Sequence, residues 1–557
     1  MDDSFVKAPL AVPKLSGFDK SHQNLFTSKV GTITPIMVDE LIPGSKVNLE
    51  AALNASLPPL ATDTYMRCSI KCEAFFVPAR LLAGGYEAWF TDEPKDLLYT
   101  KVGASGPELD QVSTIPYLPV IGQAAVGGTD TFESELRANG SLADYLGFRT
   151  SGNNVLNVPI TALPFLAYHR VYHDWYRNSL VQKEVFLPVG SGSGVLPQKV
   201  AASSPYVFHD SGDYVWATDE ALTLADGVKI TELRQRNFGL DYFTTATPSP
   251  QQGNAQVVSF NTSGATGSFS IAALRAANSM QQFKERNNLL GNLYVEQVYG
   301  RYGVRPSDGI AQRSLYIGRA EFEVYSKGIY QQNGPLDNGV GDISEAVESI
   351  GQANPFGTIG SRYGSAYASG KGLNVNFEAK EHGYFMIMAT LVPRVTYSSG
   401  VERYLRHYCG LGSLSDMANP ILQNVGPQPI VEDELTGNGD TGTVFGFTDR
   451  YAEFKTKQDT LHGLVRDGQS LQAFALQRSF GDTSAPRINS AFLEIPTDYM
   501  DQVTAVKQWI SDYGYWCDTY FQYRVAQPLA KYSLPSLQDP AYEHGKTIVV
   551  SKGGNKL

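Results

Sequence analysis

The chain has 557 residues, 42% of them hydrophobic and only 18% charged, and its formal charge is −11. A large apolar core is therefore available, and global disorder is excluded. The acidic sum argues against a surface that binds DNA as a whole, while leaving room for a local basic face. Tyr and Phe number 31 and 27; they bring large apolar area with few rotamers, which suits extensive buried or subunit-facing surface.

The opening, MDDSFVKAPLAVPK, lacks the basic and then apolar run of a secretory signal. Strands are expected at Gly31 to Leu41 and at Val47 to Leu53. The next stretch alternates cleanly: Met66, Cys68, Ile70, Cys72, Ala74 and Phe76 fall on one face, Arg67, Ser69, Lys71 and Glu73 on the other. Period two marks a half-buried strand, and it makes Cys68 and Cys72 core residues rather than metal ligands. With Cys409 and Cys517 the chain has four cysteines, too few for a disulfide scaffold of this size, and a reducing cytoplasm is the expected site of synthesis.

Ala162 to Gln182, ALPFLAYHRVYHDWYRNSLVQ, carries His169 and His173 four residues apart. On a helix that spacing puts both rings on one side, as a zinc site needs. The metalloprotease pattern requires glutamate after the first histidine, and Arg170 stands there; no third ligand is near in sequence. Phe165, Tyr168, Tyr172, Trp175 and Tyr176 form an aromatic stripe at helical spacing. Asp174 can pair with Arg170 or Arg177. The reading is a packed, ion-braced structural helix with no metal and no catalytic role.

Leu187 to Lys229 contains the glycine-serine run GSGSG and reads as loop. A helix is expected from about Ser270 to Gly300, broken near Gly291. NGVGD at Asn338 to Asp342 and GSAYASGKG at Gly364 to Gly372 read as loops. The second of these is no phosphate-binding loop, because Ser365 stands where the first glycine belongs and Gly372 where Ser or Thr must hold magnesium. Tyr384 to Val392 and Cys517 to Val525 are further strands; the run Tyr384 to Pro393 is too short to cross a bilayer. The tail HGKTIVVSKGGNKL carries Lys546, Lys552 and Lys556 with no acid after the histidine, a candidate nucleic-acid-facing or inter-subunit arm. No repeat appears, and no cofactor motif. Carboxylates are numerous enough that a sugar-binding or glycoside-cleaving β-sandwich stays an alternative.

The order of segments decides between these readings. SHQNLFTSKVGTITPIMVDELIPGSKVNL (Ser21 to Leu49), FFVPARLL (Phe75 to Leu82), LPFLAYHRVYHDWYRNSLV, RNFGLDYFTTATPSPQQG (Arg236 to Gly253), LRAANSMQQFKERN (Leu274 to Asn287) and YGVRPSDGIAQRSLYIG (Tyr302 to Gly318) follow one another. HGYFMIMATLVPRVTYSSG (His382 to Gly400), RYAEFKTKQDTLHG (Arg450 to Gly463) and PLAKYSLPSL (Pro528 to Leu537) complete the series. Together they resemble the major capsid proteins of the microviruses, small bacteriophages with single-stranded DNA, and most of all the gokushovirus-like branch. Two departures stand out. Ser45 replaces an acid that is usual in the family, and the gap after PQQG is short where gokushoviruses often carry a protrusion-forming insertion.

The resemblance implies an all-β core, a single eight-stranded antiparallel jelly roll with long loop and helix insertions. All of 1–557 would be one capsid domain, with strands at about 30–82 and 382–537 and insertions at about 83–381. It also implies a homo-oligomeric icosahedral shell of roughly sixty copies, enclosing circular single-stranded DNA, assembled in the bacterial host cytoplasm without a membrane. The implied partners are the genomic DNA, a DNA pilot protein, a small basic DNA-binding protein and a host cell-surface receptor. Any protrusion would be reduced, or built by another loop such as Leu187 to Lys229.

Overall fold

Ten strands carry the architecture: β1 (Ser16–Asp19), β2 (His22–Ser28), β3 (Thr34–Leu41), β4 (Lys46–Ser56), β5 (Cys68–Pro78), β6 (Leu315–Glu323), β7 (Tyr325–Tyr330), β8 (Arg362–Glu378), β9 (Gly383–Pro393) and β10 (Tyr515–Gln527). The structure is a computed structural model. Isolated positions aside, it describes residues 15–82, 138–148, 160–186, 224–253, 271–330, 362–406, 420–437, 443–480 and 487–531. Short segments at 7–12, 99–103, 106–110, 117–118, 207–208, 214–215 and 546–551 are described as well.

Every pairing among the ten strands is antiparallel. One sheet runs β6-β5-β9-β3; the other runs β7-β8-β4-β10, and β1 and β2 share the far side of β10. Val324 alone separates β6 from β7, so the chain crosses from one sheet to the other within a residue. Alternation drives the stacking. Val47, Leu49, Ala51 and Leu53 of β4 and Cys517, Phe521, Tyr523 and Val525 of β10 meet Cys68, Ile70, Cys72 and Phe76 of β5 and Phe385, Ile387 and Leu391 of β9 in one core. Full burial of each large apolar side chain there stabilises by about 1.5–3 kcal/mol relative to exposure.

β9 is buried along its whole length, because a second apolar layer covers its back. That layer is helix α1 (Leu163–Val171), whose Phe165, Tyr168 and Val171 pack with Phe75, Val77, Tyr384, Met386 and Met388. The continuous apolar run of β9 follows directly, since a strand covered on both faces has no polar side to show. A third cluster gathers Tyr242, Phe243, Ile430, Leu435, Phe445, Ile488 and Phe492 around the 241–253 segment.

Three expectations change. GSAYASGKG is not a loop; it lies inside β8 and pairs with β4 and β7. Its glycines meet close neighbours: a Cβ on Gly364 would collide with the Thr62 carbonyl, and one on Gly370 would come within 2.8 Å of Phe322. A register shift between Lys371 and Leu373 then breaks the period of two, which hides the strand in the sequence. The stretch 83–381, read as insertion, contributes β6, β7 and all of β8 to the two main sheets. Finally, the outer face of β5 is not uniformly open, because Glu73 is buried beneath the α1 segment. The expected helical stretch from Ser270 is two helices, α2 (Ile271–Leu290) and α3 (Tyr294–Tyr302), parted at Gly291 with φ +84°. Asn338 to Asp342, Gly190 to Gly194 and most of 187–229 lie outside the described residues.

Candidate assembly surface

Pro164 sits in the first turn of α1, where its missing N–H costs nothing, and the helix runs on into a π-helical turn, Tyr172–Tyr176. Its polar side chains are all engaged inward. Tyr168 donates its hydroxyl to the Ile33 carbonyl at 2.7 Å and accepts the Arg234 backbone N–H at 2.7 Å. His169 accepts from Arg234 Nε at its Nδ1 (3.0 Å), so its proton lies on Nε2, which donates to the Ile230 carbonyl (2.9 Å). Burial, reinforced by the Arg234 charge, holds His169 well below the usual histidine range, and it is neutral. His173 bonds instead to Asp174 (3.0 Å) and Glu184 (2.8 Å). The two histidines therefore serve different partners, and among the described residues no cluster of His, Cys, Asp or Glu could hold a metal.

Asp174 accepts from Arg170 Nε at 3.0 Å and from the Ser314 N–H at 2.8 Å. Burial alone would raise its carboxyl; the His173 hydrogen bond, the Arg170 charge and the Ser314 N–H outweigh burial and hold it below the usual carboxylate range. The expected Asp174–Arg177 pair does not form. The helix ends at Arg177, which turns extended and donates to Glu184 (3.0 Å) and the Gln182 carbonyl (3.1 Å). Beneath the helix, Glu73 accepts from Arg236 at 2.6 Å and from the Tyr176 hydroxyl at 2.5 Å. Burial raises that carboxyl too, and the Arg236 and Tyr176 bonds overcome it, so Glu73 is also lowered. Phe165, Tyr168, Tyr172 and Tyr176 are buried; Trp175 is partly buried, with Arg313 stacked 3.8 Å from its ring. This clasp is closed to substrate: its groups are spent on one another. Arg234, Arg236 and Glu73 carry it together with α1, and only the Arg-x-Arg before the NFGLDYF landmark hints at them in the sequence.

The two helices α2 and α3 are the opposite case. Of the 32 large apolar side chains exposed among the described residues, ten lie between Ile271 and Ile310, so a 40-residue stretch carries nearly a third of them. Only Asn287 and Asn288 of α2 are buried. Asn288 anchors the helix to the Ser249 carbonyl (2.5 Å), and Gln281 bonds Gln251 and Glu285. Ala277, Gln281, Lys284, Glu285 and Leu290 are half-buried, and the other side chains of α2 are exposed. Large exposed apolar patches on such elements mark interaction surfaces.

Of the three candidate lysines, Lys546 begins a strand, Lys546–Ser551, that pairs antiparallel with Lys7–Val12, so the two ends of the chain form one ribbon. Lys552 and Lys556 lie outside the described residues. Among the described residues no helix is long and apolar enough to cross a membrane.

A family model described as capsid protein (F protein) matches residues 10–266 and 260–537. The chain belongs to this capsid protein family. Three relatives agree along almost their whole lengths. "Capsid protein VP1" of Chlamydia phage 1 is 25% identical over 639 positions, covering 97% of this chain and 98% of the relative. "Capsid protein VP1" of Bdellovibrio phage phiMH2K is 25% identical, covering 96% and 97%, and that of Spiroplasma virus 4 is 24% identical, covering 93% and 94%. The resemblance drawn from the ordered landmarks holds. As a capsid protein the chain is structural and has no reaction to assign, which removes the glycoside-cleaving alternative. The Chlamydia phage alignment is longer than the 557-residue chain, so that relative carries residues inserted with respect to this capsid protein.

Proposed function

We propose that this chain is the major capsid protein of a microvirus. The family match along almost all of its length carries the reading. Copies close into an icosahedral shell, roughly sixty in the simplest arrangement, around circular single-stranded DNA. The subunit is one domain, an eight-stranded jelly roll with long insertions; this reading is supported by the four-strand runs β6-β5-β9-β3 and β7-β8-β4-β10, of which all but β7 contribute to a shared core, with β1 and β2 along one edge. The shell assembles in the bacterial cytoplasm, with a DNA pilot protein and a small basic DNA-binding protein as further virion components and a cell-surface molecule as receptor. The C-terminal tail that carries Lys546, Lys552 and Lys556, and whose Lys546–Ser551 strand belongs to the terminal ribbon, faces the genome.

Negative-stain electron microscopy of the purified chain, beside nuclease protection of material from infected cells, tests the reading. Uniform closed particles that protect single-stranded DNA are expected. A monodisperse monomer that protects none overturns it. Charge neutralisation of Lys546, Lys552 and Lys556 is expected to leave shells intact and to lower the DNA they retain; unchanged packaging removes the role of the ribbon.

A further inference from the structure

The stretch 271–305 holds five Lys and Arg (Arg275, Lys284, Arg286, Arg301, Arg305) and two acids (Glu285, Glu296), a local +3 in a chain whose sum is −11. Arg275, Arg286 and Arg305 are exposed, and none takes part in an ion pair among the described residues. They alternate with exposed Ile271, Leu274, Leu289, Tyr294 and Tyr302. A helix that is exposed on nearly every side gains little from its own molecule, since most helical stability in proteins comes from packing an apolar face.

Elsewhere the same molecule carries the inverse surface. Glu494 is turned toward the buried Gln182; beyond it, residues 498–520 hold four acids (Asp498, Asp501, Asp512, Asp518) and a single lysine, a local −3. Asp498 and Asp512 are exposed and have no cationic partner among the described residues. In the same stretch Val506, Tyr513, Trp516 and Tyr520 are exposed apolar groups, and Asp512, Tyr513 and Trp516 line one groove. Both surfaces thus combine aromatic or aliphatic anchors with charge of one sign, and the signs are opposite.

We infer that the α2–α3 arm of one copy docks on the 498–520 surface of a second copy, forming a head-to-tail contact of the shell. The inference rests on the capsid reading and names the contact through which copies join. A contact between two different patches of the same chain is heterologous, and it closes into rings when the rotation between copies permits. Opposite charges across it fix register and exclude like-charged pairings, while the apolar groups at its centre supply most of the affinity.

A charge swap in the full-length chain tests it. Arg275→Glu with Arg286→Glu on the arm is expected to lower the yield of closed particles at least about tenfold, because two like-charge juxtapositions cost several kcal/mol. Asp498→Lys with Asp512→Lys should do the same. All four changes in one chain should restore assembly to within about threefold of the parent, because the complementary pairing is re-formed with its signs exchanged. Circular dichroism and thermal melting of the unassembled variants check that each is folded, which surface positions allow. A photo-cross-linker at exposed Gln282 should join residues within 498–520 of another copy. Normal assembly of both reversed chains, failure of the fourfold change to restore it, or cross-links to nucleic acid or to another protein overturns the inference and leaves the capsid reading standing. A parent chain that never assembles overturns the capsid reading, and this contact with it.

Discussion

Helix α1 and helix α2 are both legible as helices, yet the molecule treats them in opposite ways. Seven of the nine residues of α1 are buried, and its hydroxyl, imidazole and guanidinium groups are all committed to bonds within the chain. α2 is twice as long and buries two asparagines. One helix completes the core of a single copy, and the other has no core until something covers it. On the inferred contact, a single chain contains one part whose stability is intramolecular and one whose stability belongs to the assembly, and substitutions in the two should separate cleanly.

The largest effect is expected at the clasp. Glu73→Ala leaves the partly buried Arg236 without its carboxylate and the buried Tyr176 hydroxyl without its acceptor; breaking a fully buried pair costs about 3–5 kcal/mol, and a loss of about 2–4 kcal/mol is expected here. Urea denaturation of the unassembled chain reads it; a loss below about 1 kcal/mol, the scale of an exposed ion pair, would erase the distinction between the two regions. Because Glu73 and Asp174 are both lowered, their stabilisation is fully present above the unfolded carboxylate range near pH 4 and is lost as pH falls through their lower folded values.

A smaller effect sharpens the same side of the comparison. His169 is lowered well below 6.5. Below pH 6.5 the unfolded chain takes up a proton that the folded chain refuses, so stability declines with acidification by up to about 1.4 kcal/mol per pH unit from this residue. His169→Gln can keep an acceptor for Arg234 and a donor for Ile230 but cannot titrate. The variant should show a shallower fall in melting temperature between pH 7 and pH 5; parallel curves for the two proteins would mean that the imidazole takes no part.

The smallest effect on the single chain is expected at the arm. Leu274→Ser and Tyr302→Ser remove exposed apolar groups and should change monomer stability by no more than about 0.5 kcal/mol, while reducing particle yield. A melting point that falls as far as in the Glu73 variant would show that α2 is held by its own molecule after all.

Legibility followed the physics of each segment. β5 and β10 announce themselves because one face is apolar and alternation survives intact. β8 is concealed by glycines required where backbone and side chains approach closely, and by the register shift beside Gly372. The aromatic stripe of α1 is readable, but its ionic partners are not: Glu73 and Arg236 lie 163 residues apart, and no local pattern links them. Arg177 illustrates the same limit at short range, since spacing offers it Asp174 while the chain's exit from the helix delivers it to Glu184.

The residues alone were enough for the β-rich character, the helices, the core positions of Cys68 and Cys72 and, through the order of the landmarks, the capsid family. These are encoded in local periodicity and in chain order, which need no third dimension. Only the tertiary structure decided which strands share a sheet, which carboxylates are buried with their cations, and which helix is left uncovered. Those outcomes depend on distant segments excluding water from one another, and that is a property of packing rather than of any stretch of sequence.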